Sequence, residues 1–341
     1  MKLGIIGLPL SGKTTIFESL TQSVDPAKKG ENRLNMVKVP DERIDQLSAM
    51  YNPKKTIYAQ VEYFLPGMLG GEQSKEQSIW NQTRSCDALL HVIRNFDAPG
   101  FDAPNPSDDF LKLEQELIFA DLIVVEKRLE RLEADKKRHR QIDEKEYDLL
   151  IKCKDYLEAD KPLRHDPEVA QDPLLKGFTF LSGKPMLVLL NNGDDDPDLP
   201  NLEGPLANET SIAVRGLLEH EIAQMSGEDA QAFMDEYGIE TSAMDRVIRK
   251  SYDFLGRMSF FTVGEDEVRA WTIEKNTQAV DAAEAIHSDI KKGFIRAELV
   301  AYHDLMEAGS YAEARKKGTV RLEGKTYVVQ DADIINFRFN V

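Results

Sequence analysis

The chain has 341 residues with 60 acidic and 43 basic side chains, a net charge of −17. That balance repels polyanions over most of the surface, so a broad basic face gripping DNA or RNA is excluded and any RNA contact has to be local. An apolar content of 41% supports a real core, and no apolar run approaches the ~20 residues of a membrane span. The only cysteines, Cys86 and Cys153, lie far apart without metal-ligand spacing. Neither a disulfide nor a zinc site is expected, and with no secretory leader pattern a cytoplasmic location is.

The first stretch carries the chemistry. Lys2-Leu-Gly-Ile-Ile-Gly7-Leu-Pro-Leu-Ser-Gly12-Lys13-Thr14-Thr15 matches G-x-x-x-x-G-K-T. Leu3 to Ile6 reads as a buried strand, and the run from Thr14 to Thr21 as a helix. A chance Gly-rich turn would lack that flanking pattern. The expected phosphate-binding set is Leu8, Pro9, Leu10, Ser11, Gly12, Lys13, Thr14 and Thr15. Backbone N–H groups and the helix N-terminus attract phosphate, Lys13 reaches the β- and γ-phosphates, and Thr14 is the expected Mg²⁺ ligand.

Further along, Val37-Lys-Val39 and Tyr58 to Phe64 read as strands, with a capped helix starting at Pro40-Asp-Glu-Arg between them. Pro66-Gly-Met-Leu-Gly-Gly71 breaks the second strand. Ala88-Leu-Leu-His-Val-Ile-Arg94 reads as a buried parallel strand, with His91 expected as a satisfied core histidine rather than a catalyst. Residues 98–108 form a loop, and Asp108-Asp109 can cap a long helix. Leu111, Ile118, Leu122, Val125, Leu129 and Leu132 follow at coiled-coil spacing. A polar tip at 135–143 and a second helix through Leu149, Leu150, Cys153, Tyr156 and Leu157 complete an antiparallel hairpin, read as a projecting arm.

Pro185 to Leu190 is another buried strand, ending at Asn191-Asn-Gly-Asp194. Ser211 to Val214 is a short strand, followed by a helix from Leu217. Strands alternating with helices predict an α/β domain with a mainly parallel sheet and its ligand at the carboxyl ends of the strands. Beyond residue 257, Phe260 to Ile273 reads as a hairpin and Gln278 to Lys291 as a helix. Thr319 to Val329 reads as a second hairpin and Asp333 to Val341 as a closing strand. These predict a small α+β domain. The basic runs Lys136 to Arg140 and Lys291 to Arg296 read first as solvated helix faces and second as local RNA contacts.

A hydrolytic P-loop site needs further groups. Where an Asp-x-x-Gly turn would support Mg²⁺, the chain reads Phe64-Leu-Pro-Gly67, with no carboxylate ahead of the glycine. Gly67 can still offer an N–H to phosphate. No Thr lies between Thr21 and Thr56 to complete a metal shell, and Met68 stands where a Gln would orient water. The turn Asn191-x-x-Asp194 can read a purine base, its carboxylate accepting from guanine N1 and N2. The alternative is an ordinary polar turn.

Gly7-Leu-Pro-x-x-Gly-Lys-Thr-Thr-Ile-Phe, Val37-x-Val-Pro-Asp-x-Arg43, Cys86-Asp-Ala-x-Leu-His-Val-x-Arg94 and Asp121-Leu-x-x-Val-Glu-Lys-Arg-Leu-Glu-Arg131 resemble the YchF (Obg-like) ATPases/GTPases. So do Glu267 to Ile273, Ala285 to Glu298 and Tyr327 to Val341, and the resemblance spans nearly the whole chain. It implies a P-loop GTPase-like α/β domain (1–108 and 161–256), an inserted helical arm (109–160) and a C-terminal β-grasp TGS domain (257–341). It also implies binding of GTP or ATP with Mg²⁺, slow hydrolysis, and a link to ribosomes or RNA through the arm and the TGS domain. Membrane and DNA partners are not expected. The sequence departs from the family at the missing Asp, at a loop shortened to Lys28-Lys-Gly-Glu-Asn, at Asp194 in place of Glu, and at Arg215-Gly216 in place of Ser-Ala. Two readings follow: a slow nucleotide-driven switch with Asn191 and Asp194 on the base, or a pseudo-NTPase that docks through arm and TGS domain without switching. No catalytic residue is assigned.

Overall fold

A computed structural model describes residues 1–23, 30–67, 79–170, 172–236, 239 and 241–340. The readings placed on Lys28, Lys29 and Met68 to Gly71 lie outside these residues. The chain divides into two compact units, one of residues 1–36 and 62–244, the other of residues 37–61 and 245–341. This differs from the domain limits read off the sequence. Residues 37–61 join the C-terminal unit, which takes up the chain again at 245 rather than 257.

The first unit is built on a sheet in the order β2-β4-β1-β5-β6-β7. Its strands are β1 (Lys2–Ile6), β2 (Arg33–Lys38), β4 (Gln60–Leu65), β5 (Ala88–Asn95), β6 (Met186–Asn192) and β7 (Thr210–Val214). β1 pairs in parallel with β4 and β5, β5 with β6, and β6 with β7. β6 is buried along its whole length and β5 along its first six residues, as continuous apolar runs in a covered parallel sheet require. Helices α1 (Lys13–Thr21) and α5 (Gly216–Gln224) follow β1 and β7 directly.

Helix α3 (Pro106–Lys137) starts earlier than expected. Its N-cap is Asn105, whose side chain accepts from the Asp108 N–H, and Pro106 occupies the first turn; Asp108 and Asp109 are first-turn acids. Its first turns are not arm: Phe110, Leu113 and Leu117 join the sheet core beside Leu89, Ile93 and Val188. Further on, α3 pairs with α4 (Glu144–Glu158) as an antiparallel hairpin. Val125, Leu129 and Leu132 face Leu150, Cys153 and Leu157, and Leu163, Val169, Leu175 and Phe180 extend that cluster. Arg128 forks onto Glu146 through two 2.8 Å hydrogen bonds.

Two buried charges pin this region. The Asp121 carboxylate accepts from Arg84, the Leu181 and Ser182 N–H groups and the Ser182 hydroxyl. Arg164 forks onto Glu114 and also donates to Glu209, with all three side chains under 10% exposed. Cys86 and Cys153 are buried and free, their thiols pushed up by burial to about 11 and about 12. No helix among the described residues is long and apolar enough to cross a membrane.

The second unit has a sheet in the order β11-β10-β12-β8-β9-β3. β8 (Arg257–Val263) and β9 (Glu267–Glu274) form the expected hairpin, and β12 (Ile334–Phe339) lies between β8 and β10 (Phe294–Val300). β3 (Lys55–Ile57) adds to β9 in parallel and brings the N-terminal segment into this sheet. The run 319–329 is not a hairpin. β11 (Arg321–Glu323) pairs with β10 instead, and only Val328 makes an isolated bridge, to Gln278. The helix expected over 278–291 is two, Ala279–Ile286 and Ser288–Lys292, separated by His287 in an extended conformation. Lys291 pairs with Asp281 and Glu284, and Lys292 with Asp289, which makes this patch a solvated ion-paired face.

His91 corrects an expectation. It is buried and stacked on Phe110 with centroids 5.7 Å apart, but neither ring nitrogen has a partner among the described residues. Burial, with Arg164 and Lys13 nearby, pulls its pKa from 6.5 to about 3, so the folded chain keeps it neutral. Above pH 6.5 this has no effect on stability. As pH falls further, the unfolded chain takes a proton that the fold refuses, so stability drops by up to about 1.4 kcal/mol per pH unit. Denaturant titrations of wild type and His91→Leu at pH 7 and pH 5 test this. The wild type is expected to lose about 2 kcal/mol more than the variant between the two pH values; equal losses would show that His91 is not the titrating group.

Candidate functional site

The site lies at the carboxyl ends of β1, β5, β6 and β7. β1 ends at Ile6, and the chain then turns through a loop of unusual backbone. Gly7 has φ +153°, Leu10 has φ +66° and Gly12 has φ +92°. A Cβ on Gly7 would stand 2.3 Å from the Val92 carbonyl, so β5 itself presses on the loop. Leu10 is a non-glycine residue in the left-handed region and is 60% exposed. Such a conformation is strained unless function or surroundings demand it.

Lys13 opens α1 and folds back into the loop. Its ammonium donates to the carbonyls of Gly7 at 2.8 Å and Leu8 at 2.6 Å. No carboxylate balances it among the described residues, and burial pulls its pKa down to about 8. The first turn of α1 has no acidic side chain, so its N–H groups keep their positive end uncancelled. Thr14 is exposed and its hydroxyl has no partner among the described residues. Thr15 is half-buried in the first turn. A partly buried ammonium held only by carbonyl oxygens, a helix N-terminus and a free hydroxyl make a donor set suited to a phosphate chain. No cluster of three or more His, Cys, Asp or Glu able to hold a metal exists among the described residues.

Asn191 does something the sequence reading did not assign. It is the next-to-last residue of β6 and is 4% exposed. Its Nδ2 donates to the Ser11 carbonyl at 3.0 Å, and its Oδ1 accepts from the Gly216 N–H at 3.0 Å. It ties the phosphate loop to the start of α5 and so positions the site. Gly12 and Gly216 are glycines for this reason: a Cβ would stand 2.2 Å from Nδ2 at the first and 2.4 Å from Oδ1 at the second. Asp194 is exposed, and its carboxylate has no partner among the described residues. Arg215, which the motif search left without a role, reaches over the same turn to donate to the Asp194 carbonyl at 3.4 Å.

The second expected phosphate contact is otherwise engaged. The Gly67 N–H donates to the Asn32 side chain at 2.7 Å, and a Cβ on Gly67 would stand 2.4 Å from the Gly30 carbonyl.

This strand–loop–helix on a parallel sheet defines the P-loop NTPase fold, with a separate C-terminal unit. The YchF-GTPase_C family, described as a protein of unknown function (DUF933), matches residues 258–340. The chain is 38% identical over 368 residues to the ribosome-binding ATPase YchF of Bacillus subtilis, covering 99% of each chain. It is 34% identical over 361 residues to the ribosome-binding ATPase YchF of Escherichia coli O157:H7, covering 100% of this chain and 99% of the other. The structure of the Schizosaccharomyces pombe YchF GTPase superposes with a TM-score of 0.82 at 28% identity, covering 99% of this chain and 97% of that one. The chain belongs to the YchF family.

Two outcomes check the site geometry. Asn191→Ala leaves the Ser11 carbonyl and the Gly216 N–H unpaired and is expected to cost about 1–3 kcal/mol of unfolding free energy. A loss within 0.5 kcal/mol of zero, read by urea titration, would contradict the tie (a change of about this size is ordinary for surface substitutions). Affinity for a nucleoside diphosphate is expected to hold from pH 7 to pH 8 and then fall by up to about tenfold per unit as free Lys13 loses its proton. Lys13→Arg removes that decline, because a guanidinium does not titrate there.

Proposed function

We propose that this chain binds a purine nucleoside triphosphate with Mg²⁺ at residues 8–15, hydrolyses it slowly, and associates with the ribosome in a nucleotide-dependent way. One observation carries the reading: the Lys13 ammonium sits inside the loop on backbone carbonyls alone. A phosphate chain offers it the anionic oxygens it lacks. The backbone of residues 8–13 and the α1 N-terminus hold the phosphates, and the Thr14 hydroxyl is the protein's ligand to Mg²⁺. Bound Mg²⁺ supplies charge neutralisation at the β- and γ-phosphate oxygens. Asn191 fixes the loop, and Asp194 is the group free to meet the base. Close relatives named as ribosome-binding ATPases support both the nucleotide and the ribosome. The hairpin α3–α4 and the C-terminal unit, read as a TGS domain, are the proposed docking parts, and the proposed compartment is the cytoplasm.

Two observations support slow hydrolysis. No carboxylate precedes Gly67, and the Gly67 N–H is already bonded to Asn32. Nothing among the described residues is placed to orient a water, so no catalytic residue is assigned. The same observation favours a second reading, a pseudo-NTPase that docks without switching.

Lys13→Ala separates the two. Loss of one charge-assisted phosphate contact is expected to weaken nucleotide binding by about 1.5–3 kcal/mol. Co-sedimentation with ribosomes, with and without a non-hydrolysable triphosphate, is the readout. A switch predicts wild-type binding that changes with nucleotide and Lys13→Ala binding that does not. Wild-type binding indifferent to nucleotide, and equal to that of the variant, leaves only the docking module.

A further inference from the structure

We propose that a cleft within the second unit binds a small phosphorylated molecule, held by Arg249, Arg257 and Lys275. This site is separate from the P-loop, and neither the nucleotide nor the ribosome reading is needed for it.

The cleft has a volume of about 790 Å³, within the range of small-molecule sites. Every residue lining it belongs to the second unit. Met258, Ala270 and Val329 are buried and give it an apolar wall.

Four carboxylates and four cations also line it, and they are unequally engaged. Arg43 forks onto Asp41 at 2.9 and 2.8 Å and reaches Asp331 at 2.6 Å. Asp41 also caps the helix Glu42–Tyr51, and Asp331 accepts from the Ser259 N–H at 3.1 Å. These three side chains are spent on the fold. The other three cations are not. Lys275 follows β9, is exposed, and its ammonium has no partner among the described residues. Arg249, on the helix Ala243–Phe254, comes only within 3.6 Å of Glu42, whose side chain is 78% exposed. Asp253, one turn further on, is exposed and makes no ion pair with Arg249 among the described residues. Arg257 opens β8 and lies 3.0 Å from the exposed Glu274, while its Nε–H is buried without an acceptor.

A buried N–H without an acceptor is a cost that the fold bears at rest, and a ligand that draws the guanidinium onto itself removes it. Glu42 and Asp253, the acids not already bonded, are exposed, where a carboxylate is a weak partner. Cations from a helix, a strand and the end of a second strand therefore border one cleft with donors to spare. A phosphate group suits them. It presents three anionic oxygens around a tetrahedron to cations that arrive from three elements, whereas a carboxylate presents two in one plane. The apolar wall takes the body that carries the phosphate.

Inorganic pyrophosphate is the probe and citrate the carboxylate control. The full chain, isotope-labelled at its methionine methyl groups, is titrated by NMR, and the Met258 signal, assigned by Met258→Leu, reads the cleft. Pyrophosphate is expected to shift that signal saturably, in wild type and equally in Lys13→Ala, and to bind more tightly than citrate. Arg257→Gln and Lys275→Gln are each expected to weaken binding about tenfold, the worth of one charge-assisted contact. Lys275 is exposed, so its replacement keeps the test open if Arg257→Gln does not fold. A Met258 signal that stays still up to about 10 mM pyrophosphate overturns the inference. So does a shift that Lys13→Ala abolishes, which would trace it to the P-loop, or one that both cleft variants leave unchanged. Citrate binding as tightly overturns the choice of phosphate. Failure of the nucleotide reading shows separately, as no triphosphate binding with the Met258 response intact.

Discussion

The site depends on one side-chain amide. Asn191 bonds at once to the Ser11 carbonyl and the Gly216 N–H, from the end of a strand buried on both faces. Those three residues come from parts of the chain that share no local sequence. Beyond the amide, the two segments meet where α1 packs on α5, with Ile16 against Gly216. The constraint also acts on sequence, since a side chain at Gly12 or Gly216 would collide with the amide itself. An amide suits the place because it donates and accepts in one plane and carries no charge to desolvate. A carboxylate there would face the Ser11 carbonyl with no proton to give.

The surrounding unit holds its buried charges in hydrogen-bonded groups. Asp121 and Arg164 are buried, but each is held by several partners under the helical hairpin. Removing a partner from such a group is costly, whereas the intact group adds little net stability. Their value lies in fixing where α3 crosses the sheet and where residues 163–182 return to it. In a chain of net charge −17, the P-loop ammonium is partly buried and has no ion pair among the described residues.

The sequence revealed contiguous features and hid non-contiguous ones. The P-loop was legible because strand, loop and helix occupy one unbroken stretch, from Lys2 to Thr21. β5 and β6 were legible because a covered parallel strand is an unbroken apolar run. The motif around Asn191 suggested a base contact, and gave no hint of its partners within the protein, which lie 180 and 25 residues away. The hairpin expected at 319–329 failed because its Glu-Gly turn imitates hairpin chemistry, whereas β11 is drawn to the open edge of β10. Residues 37–61 looked like part of the first unit because they sit in the middle of it in sequence. Only the pairing of β3 with β9 shows where they belong. His91 was rightly placed in the core, but no sequence pattern could show that its ring nitrogens go unpaired.

The nucleotide-free loop is not an empty mould. Lys13 already has two carbonyl acceptors, and Gly67 already has the Asn32 side chain. A phosphate chain therefore exchanges existing hydrogen bonds for new ones, and its net gain is the difference. For Lys13 the exchange is favourable, because neutral carbonyls give way to anionic oxygens in a partly buried place. For Gly67 it is not, because the N–H already pairs with a well-placed amide oxygen. Under the proposed nucleotide binding, Lys13 thus gains from a phosphate chain, while the Gly67 N–H is satisfied without one.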